Sequence, residues 1–294
     1  MKNLIVIAGP TASGKTALAI KLAKHYATEI VSCDSRQVFK ELEIGTAKPS
    51  EQELAEAKHH FINSHSVHEN FSAGDFEKQG LLLINTLFQQ FDTLIMVGGS
   101  GLYVRALCHG LDDFPTVDKS FREQLNQEYA LYGLEVLQEE LRIKDLEYYN
   151  SIDISNSQRV IRALELCRAI GKPISSFRTN QDNKRNFNIL KFGVDIPRDV
   201  LYDRINKRVD AMIENGLEQE VRELLPIKHL NSLQTVGYKE FFDYFDGELT
   251  LSQTIEQIKK NTRNYAKRQI TWFNKEPNLF WKTPNDICKD LGID

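Results

Sequence analysis

Short apolar runs alternate with amphipathic stretches through the first hundred residues of the chain. The runs over residues 4–8, 29–32 and 93–97 are mostly apolar, as expected of strands covered on both faces of a sheet. Residues 16–26 repeat apolar side chains at helical spacing, and a further helix is predicted to begin at Leu102. Strands that alternate with helices predict an α/β fold with a parallel sheet, whose ligands bind beyond the carboxyl ends of the strands.

A second pattern begins near Asp118 and continues to Gly171. Here the apolar positions follow helical periodicity, charges are frequent and no segment resembles a strand. Gly171 and Pro173 form a stop signal, because glycine and proline are both typical of the residues that follow a helix. We therefore predict an inserted helical domain over residues 118–187.

The strand pattern returns at residues 188–196, and residues 199–225 then repeat apolar side chains at helical spacing. A last long helix is predicted over residues 251–273. The chain is thus expected to rejoin the sheet after the insertion, so that residues 1–117 and 188–294 form one α/β core flanked by helices.

Composition places the protein among ordinary globular chains. Of its 294 residues, 41% are hydrophobic and 27% are charged, and no apolar run approaches the roughly 20 residues that a membrane-spanning helix needs. The apolar start at residues 4–8 is too short for a signal peptide. We expect a soluble, cytoplasmic protein without membrane contact.

Neither the cysteines nor the histidines form a recognisable metal site. The four cysteines stand without a short paired spacing, which argues against a disulfide framework and against a zinc finger. His59, His60, His65 and His68 lie close together, but their spacing matches no strong zinc pattern. We expect a polar loop over these four residues.

Basic residues are concentrated in two segments, although the net charge of −4 predicts no general affinity for nucleic acid. Residues 155–191 contain eight Lys or Arg against two acids, and residues 259–275 contain six against none. Such a run is usually a solvated face, but phosphate backbones bind to clusters of this kind. These segments are the candidates for any RNA contact.

The segment from Gly9 to Thr16 satisfies the pattern G-x-x-x-x-G-K-[ST] between a predicted strand and a predicted helix. Its glycines let backbone N–H groups surround phosphate oxygens, Lys15 adds a positive charge, and Thr16 offers a hydroxyl to Mg²⁺. The alternative is a tight turn without a ligand. We favour a phosphate site on a P-loop NTPase-like sheet, and the expected phosphate-binding residues are Gly9, Pro10, Thr11, Ala12, Ser13, Gly14, Lys15 and Thr16.

Acidic residues that could complete an ATPase site are scarce. In P-loop ATPases a magnesium-binding Asp usually ends a second apolar strand, but the run over residues 93–97 ends in Gly98 and Gly99. Asp34 is left as the acidic candidate at a strand end, so ordinary ATP hydrolysis is not favoured. Asp34 could accept a proton from an attacking amine or hydroxyl, or could cap a helix, and its spacing does not decide between these roles.

Several further motifs extend the pattern to nearly the whole chain. Together with the loop at residues 9–16, they resemble those of the bacterial tRNA dimethylallyltransferase family, in the same order. Such an ordered set is far more specific than the loop alone. The motifs are Asp34-Ser35-Arg36-Gln37-Val38-Phe39, Ile44-Gly45-Thr46-Ala47-Lys48-Pro49, Gly98-Gly99-Ser100-Gly101-Leu102-Tyr103, Gln158-Arg159-Val160-Ile161-Arg162-Ala163-Leu164-Glu165, Gly171-Lys172-Pro173, Val236-Gly237-Tyr238 and Lys267-Arg268-Gln269.

The resemblance implies a prenyl transfer. Enzymes of the family move a dimethylallyl group from dimethylallyl diphosphate to the exocyclic amine of the adenosine immediately 3′ of the anticodon, and they release diphosphate. In this chain Lys15 and a Mg²⁺ ion on Thr16 would stabilise the leaving diphosphate, and Asp34 would be the general base or would orient the amine. Arg208 is the candidate for the family's diphosphate-binding arginine, although Arg204 lies four residues away on the same helix face. The implied catalytic residues are Asp34, Lys15 and Arg208.

The resemblance also implies contacts with tRNA. The target adenosine is stacked in the anticodon loop, so it must be extruded before its amine can reach the donor. Ser100 stands where common relatives have Thr, and Phe39 stands where they have Tyr, which removes a hydroxyl at the second position. The implied tRNA-contact residues are Asp34, Ser35, Arg36, Gln37, Ser100, Arg122, Gln158, Arg159, Val160, Ile161 and Arg162.

Three other functions are compatible with parts of the sequence. An isopentenyltransferase acting on free adenine nucleotide would share the loop and Asp34 but would need no tRNA channel. A small-molecule P-loop kinase would transfer phosphate from ATP. A non-catalytic RNA-binding regulator would keep the basic segments without needing Lys15 or Asp34. The inserted domain and the basic segments favour the tRNA enzyme, which we expect to be a monomer of the bacterial type.

Overall fold

Two compact units make up the protein. Unit 1 is formed by Met1–Gly110 and Lys184–Asp294, and unit 2 by Leu111–Asn183. Unit 2 therefore begins before residue 118, where the helical pattern of the sequence starts, because Phe114 and Val117 already pack against its core. The computed structural model describes residues 1–112, 114–115, 117–178 and 183–293, so Asp182, one of the two acids of the first basic segment, lies outside the described residues.

Unit 1 is built on a sheet of six strands whose pairings are all parallel, which confirms the predicted α/β class. Strands β1 and β4 pair in register from Asn3 with Thr93 to Ala8 with Gly98, so the loops after them leave the sheet at the same level. The buried faces of β1, β2 and β4 explain their uniformly apolar sequences. The strand order is β3-β2-β4-β1-β5-β6, with β1 at Asn3–Ala8, β2 at Ile30–Ser32, β3 at His59–His60, β4 at Thr93–Gly98, β5 at Asn188–Val194 and β6 at Leu279–Lys282.

The edges of the sheet depart from the prediction. His59 and His60 form β3, which pairs with β2, whereas the sequence favours a polar loop there. At the other edge, Leu279–Lys282 pairs with β5 without a strand signal in the sequence. Both strands are short, and their partners are distant in the chain, so local periodicity does not reveal them.

Helices flank the sheet of unit 1. The predicted last helix is confirmed, but the segment over residues 199–225 is two helices rather than one. Gly216 separates them with φ of 95°, a backbone conformation that glycine adopts and other residues avoid. The helices are α1 (Lys15–His25), α2 (Glu51–Glu56), α3 (Ala73–Leu87), α4 (Gly101–His109), then α9 (Arg198–Glu214), α10 (Leu217–Leu224), α11 (Lys239–Phe245), α12 (Leu251–Phe273) and α13 (Pro284–Asp290), numbered so that α5 to α8 belong to unit 2. Short 3₁₀ turns lie at Leu225–Ile227 and Asn231–Leu233.

Unit 2 is helical throughout its described residues. Its helices are α5 (Lys119–Tyr132), α6 (Leu134–Lys144), α7 (Leu146–Ser151) and α8 (Ser157–Ile170), followed by a 3₁₀ turn at Ile174–Phe177. Their apolar faces meet in a separate core, which includes Leu125, Leu141 and Leu164. In the described parts of both units, no helix has the length and apolar character to cross a membrane.

Arg168 links three helices of unit 2. Its guanidinium donates to both carboxylate oxygens of Glu128 on α5, at 2.9 and 2.6 Å, and its Nε donates to Glu140 on α6 at 2.9 Å. The Arg168 side chain is only 17% exposed. A bidentate pair with this little solvent contact fixes the angle of α8 against its neighbours more firmly than a surface ion pair does.

Replacement of Arg168 by Met tests this link. The variant leaves two carboxylates facing each other, and we expect it to lower the free energy of unfolding by about 1–2 kcal/mol, less than for a fully buried pair because solvent screens the charges. Urea unfolding followed by circular dichroism, with amide hydrogen exchange in α8, measures the loss.

Arg142→Met is the matched control, because Arg142 pairs only with Glu139 on the surface of α6. That variant should unfold like the unmodified protein. Equal losses in the two variants would show that Arg168 has no special structural role.

Candidate active site

The segments that follow β1, β2 and β4 line one cavity of about 530 Å³ in unit 1, as the strand ends predict. Helices α9 and α12 contribute a further wall, and residues 45–49, 53 and 235–237 also line the cavity. The lining residues from the three segments include Thr11, Ala12, Gly14, Lys15, Thr16, Asp34, Arg36, Gln37, Gly98 and Gly99, and those from the two helices are Arg208, Val209, Met212, Ile258, Thr262, Tyr265 and Gln269. Gly9, Pro10 and Ser13 belong to the same loop but stand behind this lining.

The loop between β1 and α1 has the backbone form of a phosphate cradle. Gly9 has φ of 141° and Gly14 has φ of 90°, values that residues with a side chain rarely adopt. At Gly9 a Cβ would also stand 3.3 Å from the backbone nitrogen of Val194 on β5. The loop can therefore press against the neighbouring strand while its N–H groups open toward the start of α1.

Ser13 carries an unused hydrogen-bond donor in this loop. Its side chain is 2% exposed, and its Oγ has no hydrogen-bond partner among the described residues. A buried hydroxyl without a partner is costly unless a ligand supplies one. An anion with several oxygen acceptors would satisfy it.

Two cations, Lys15 and Arg208, line the same cavity. Burial lowers the pKa of Lys15 to about 8, with a further contribution from the positive charge of Arg208, while Asp34 acts in the opposite direction. Burial also lowers the pKa of Arg208, against a smaller upward effect of Glu53. Among the described residues neither cation has a carboxylate within ion-pair distance. Instead, Lys15 donates to the carbonyl of Pro10, and Arg208 donates to the hydroxyl of Thr11 at 3.4 Å.

The structure separates the two candidate arginines of α9. Arg208 lines the cavity and is half-buried, whereas Arg204 is exposed and does not line it. Arg204 still lies near the loop, because a Cβ at Gly14 would stand 3.8 Å from its Nη1. Arg208 is therefore the arginine with direct access to a ligand in the cavity.

Gln269 of α12 joins the phosphate loop to the loop after β4. Its Oε1 accepts the N–H of Thr11 at 2.8 Å, and its Nε2 donates to the carbonyl of Gly99 at 2.9 Å. A Cβ on Gly99 would stand 2.2 Å from that Nε2, so a side chain there would break the bridge. The motif Lys267-Arg268-Gln269 signals this residue in the sequence, but only the structure gives it a role.

Asp34 caps a turn and also lines the cavity. Its Oδ1 accepts the N–H groups of Arg36 at 2.9 Å and Gln37 at 3.2 Å, and residues 35–38 form a turn rather than the helix that a capping role would suggest. Its side chain also lines the cavity, and Oδ2 has no hydrogen-bond partner among the described residues. One oxygen of Asp34 is thus held by the backbone, and the other is left without a partner.

The neighbours of Asp34 are engaged in holding loops. Ser100 Oγ accepts the N–H of Ser35 at 2.9 Å and donates to its hydroxyl at 3.2 Å, which ties the β2 and β4 loops together. The side-chain amide of Gln37 donates to the carbonyls of Thr46 and Ala47, both at 3.1 Å. Of this set, Arg36 is the residue whose side chain lines the cavity without a hydrogen bond among the described residues.

Glu220 of α10 holds the motif that begins at Ile44. Its carboxylate accepts the N–H groups of Ile44 at 2.6 Å and Gly45 at 3.0 Å, and it also accepts the hydroxyl of Tyr238 at 2.6 Å. Gly45 packs against the Tyr238 ring so closely that a Cβ would approach it to 2.6 Å. These contacts give a physical reason for two motifs that lie far apart in the sequence.

The cavity changes from charged to apolar along its length. Arg208 and Gln269 stand at the phosphate loop, whereas Val209, Met212, Val236 and Ile258 line the cavity and pack into an apolar cluster. We call these four residues the apolar end of the cavity. A ligand with an anionic head and a hydrocarbon tail would match this gradient.

The candidate RNA-contact residues of unit 2 form a cluster around Glu165. Arg122 donates to Glu165 at 3.1 Å and to Gln158 at 2.8 Å, and Arg162 lies 3.1 Å from the same carboxylate. Arg159 and Arg162 are exposed. Cations arranged by a buried carboxylate are held at the surface, where phosphate groups can reach them.

Val160 and Ile161 require a correction. Both side chains are completely buried in the core of unit 2, where they cannot contact RNA. They instead anchor α8, and the helical spacing places Arg159 and Arg162 on its other face. The sequence motif contains both surface and core residues, and the resemblance to the family alone does not distinguish them.

The histidines do not converge on one point. His60 pairs with Glu29 at 2.6 Å, His65 lies against the ring of Phe71, and His59 bonds through Nδ1 to the carbonyl of Ala57. The described residues contain no group of three or more His, Cys, Asp or Glu side chains arranged to hold a metal ion. Any cation in the cavity would therefore bind to at most a few protein oxygens, with ligand and water oxygens completing its shell.

The sequence matches the family model described as IPP transferase over residues 37–276. It is similar to the tRNA dimethylallyltransferase of Christiangramia forsetii, with 54% identity over 98% of this chain and 95% of that protein. The tRNA dimethylallyltransferase of Flavobacterium johnsoniae is 52% identical over 96% of this chain and 93% of its own length.

Solved structures show the same likeness. The full-length tRNA isopentenylpyrophosphate transferase of Bacillus halodurans has a TM-score of 0.72 and 36% identity, over 99% of this chain and 94% of that chain. A eukaryotic dimethylallyltransferase described as acting on tRNA has a TM-score of 0.81 and 26% identity, over 98% of this chain and 75% of that chain. The likeness thus extends over both units and is not limited to the phosphate loop.

The pKa of Lys15 predicts a pH dependence of anion binding. Since its pKa is about 8, the ligand-free protein loses this charge as the pH rises through 8, and affinity for inorganic diphosphate should then fall about tenfold per pH unit. The free energy of unfolding should change in the opposite direction and rise with pH. Between about pH 8 and 10.5, Lys15 is protonated in the unfolded chain but mostly neutral in the folded protein, so raising the pH across that window favours the folded state.

Lys15→Arg is the control for both effects, because arginine stays charged throughout this range. Calorimetric titration with diphosphate and urea unfolding are each carried out from about pH 7 to 10. The two trends should appear in the binding constant of the unmodified protein divided by that of the variant, and in the difference between their free energies of unfolding. Division by the binding constant of the variant also removes the effect of the ionisation of diphosphate itself. Parallel profiles for the two proteins would mean that Lys15 does not titrate in this range.

Proposed function

The chain belongs to the IPP transferase family, and from this we propose that it transfers a dimethylallyl group from dimethylallyl diphosphate to the N6 amine of the adenosine immediately 3′ of the anticodon in tRNA. Diphosphate is the second product. The relatives named as tRNA dimethylallyltransferases cover nearly the full chain at about half identity, which supports this activity.

One observation carries the proposal for the donor. The same cavity presents Lys15 and Arg208 at one end and an apolar cluster at the other. Dimethylallyl diphosphate has a charged head and a short hydrocarbon tail, so it matches both ends at once. A nucleoside triphosphate would leave the apolar end without a complementary group.

The chemistry follows from the two ends of the reacting bond. The C1–O bond breaks, and its electron pair remains on the diphosphate, where Lys15, Arg208 and the backbone N–H groups of the loop stabilise the charge. The lone pair of the adenosine amine forms the new C–N bond. The proton lost from nitrogen passes to Asp34, whose Oδ2 is available while its Oδ1 is held by backbone N–H groups.

The residues of the cavity fit a Mg²⁺ ion, which we propose as the cofactor. Thr16 lines the cavity with its hydroxyl, and the carboxylates of Asp34 and Glu53 line it as well. Mg²⁺ prefers oxygen ligands and keeps several waters, so one hydroxyl with the donor's phosphates and nearby carboxylates is an appropriate set. When bound, the ion would neutralise charge on the leaving diphosphate.

We propose that tRNA binds through exposed cations on both units. In the second basic segment, Lys259 is already paired with Asp210 at 2.7 Å and Arg263 with Asn206 at 2.7 Å. The cations left exposed on and after α12 are Lys260, Lys267, Arg268 and Lys275. In unit 2 the corresponding residues are the exposed Arg159 and Arg162, and Arg162 shares the carboxylate of Glu165 with Arg122, which also donates to Gln158.

The acceptor base would enter beside Asp34, Ser35, Arg36, Gln37 and Ser100, after extrusion from the anticodon loop. Arg36 is suited to contact the base or its phosphate, because its side chain lines the cavity. Ser35, Gln37 and Ser100 would act by holding the loops around the base. We further propose that the protein is a cytoplasmic monomer.

An in vitro assay tests the function. Purified protein is incubated with Mg²⁺, dimethylallyl diphosphate and unmodified tRNA, and the nucleosides are then analysed by mass spectrometry. We expect prenylated adenosine next to the anticodon. Asp34→Asn should lower the rate by about 10²–10⁴-fold with tRNA affinity retained, because it removes a proton acceptor but keeps the shape of the side chain.

Asp92→Asn is the matched control, since Asp92 is exposed and pairs only with Lys2 at the surface. It should behave like the unmodified protein. Prenylation of free adenine nucleotide but not of tRNA would identify the nucleotide-specific alternative, and absence of product with either acceptor would refute prenyl transfer.

A further inference from the structure

The apolar end of the cavity is placed by two antiparallel helices. Asn206 of α9 accepts from Arg263 of α12 at 2.7 Å, and Asp210 pairs with Lys259 at 2.7 Å. Rising numbers on α9 therefore run alongside falling numbers on α12. Going up in residue number along α9 and down along α12 therefore leads away from the phosphate loop in the same direction.

Each helix presents first a polar and then an apolar residue to the cavity. On α9, Met212 follows Arg208 by four residues, which places it on the same face about 6 Å further along. On α12, Ile258 lies eleven residues before Gln269, or roughly 16 Å away along three turns of the same face. The two pairs between the helices place Ile258 opposite Ala211, so a chain that leaves the diphosphate in this direction meets Met212 and Ile258 at about the same level.

The intervening hydroxyl does not change this character. Thr262 lines the cavity between Ile258 and Gln269, and its Oγ1 donates to the carbonyl of Ile258 at 2.8 Å. With the hydroxyl bonded to its own helix, Thr262 has its methyl group left for the cavity. Beyond Arg208, the two helices therefore present Met212, Ile258 and the methyl group of Thr262 to the cavity.

The acceptor amine and the hydrocarbon tail of the donor would contact different walls of the cavity. Asp34 and Arg36 follow β2, whereas Met212 and Ile258 belong to α9 and α12. In a displacement at C1 the nucleophile must approach opposite the leaving oxygen, so the tail has to extend to the side of that line. Separate walls for the amine and the tail meet this requirement.

We propose that Met212, backed by Ile258, closes the apolar end of the cavity and limits the hydrocarbon chain of the donor to five carbons. The proposal rests on the proposed prenyl transfer and adds the basis of its donor selectivity. Ile258 is 1% exposed and packs in the same cluster as Tyr238 and Phe241. A close-packed core does not yield to a longer chain without a cost in free energy.

Met212 is the side chain that sets the limit. It is half-buried, at the edge of the cluster, whereas Val209 beside it is 1% exposed and fixed. Methionine is unbranched and adapts its shape, so it can fill the space beyond a dimethylallyl group. Its truncation should lengthen the cavity without disturbing the charged end.

Competition between donors of five and ten carbons tests the proposal. Dimethylallyl and geranyl diphosphate are offered together with tRNA to the unmodified protein, to Met212→Ala and to the Met212→Ala/Ile258→Ala double variant, and the nucleosides are analysed by mass. We expect five-carbon product from the unmodified protein, and a ten-to-five-carbon ratio that rises about tenfold or more in Met212→Ala and further in the double variant.

Val221→Ala is the matched control. Val221 is fully buried in the same cluster but does not line the cavity, so its truncation loosens the packing at a distance from the donor. The product ratio of this variant should stay at that of the unmodified protein. A rise equal to that of Met212→Ala would attribute selectivity to general loosening and would overturn the proposal.

Binding measurements separate this proposal from the proposed function. Thiolodiphosphate analogues of both donors and inorganic diphosphate are titrated calorimetrically, so no turnover is needed. Met212→Ala should gain affinity for the ten-carbon analogue, Met212→Phe should lose affinity for the five-carbon analogue, and diphosphate affinity should change in neither. Unchanged analogue affinities in both variants would refute the role of Met212, whereas absence of prenylated tRNA from the unmodified protein would refute the proposed function alone.

Discussion

Burial of two cations in one cavity is the constraint on which the rest of the site depends. Lys15 and Arg208 are taken from water without a carboxylate at ion-pair distance among the described residues, and burial lowers the pKa of each. Such an arrangement is unfavourable until an anion arrives. A ligand with concentrated negative charge offsets this cost in free energy, so the site favours a multiply charged anion over neutral or singly charged compounds.

The loops around these cations are held by hydrogen bonds from side chains of distant elements. Gln269 ties the loop at Thr11 to Gly99, Ser100 ties the β4 loop to Ser35, and Glu220 holds the segment at Ile44. Each contact joins the end of one strand to an element far away in the chain. The walls of the cavity are therefore positioned by hydrogen bonds from several elements, and no single loop determines its shape.

The sequence predicts those features of the fold that depend on residues close together in the chain. Uniform apolar runs identify the buried central strands, and the glycine pattern identifies the phosphate loop. The helical repeat of apolar residues over 251–273 correctly gives the first and last residues of α12. Prediction fails where the deciding partner is remote. The two-residue strand at His59 exists only through β2, and Val160 and Ile161 are distinguished from Arg159 only by the core that they enter.

The Gln269 bridge has a consequence for the newly made protein. The residues that it joins, Thr11 and Gln269, are separated by 258 positions. A ribosome delivers the chain from its N-terminus, so the phosphate loop leaves the exit tunnel long before its partner on α12 does. A growing chain thus carries the phosphate loop without its brace until α12 has been synthesised, so the link between this loop and the loop after β4 can form only when both distant segments are present.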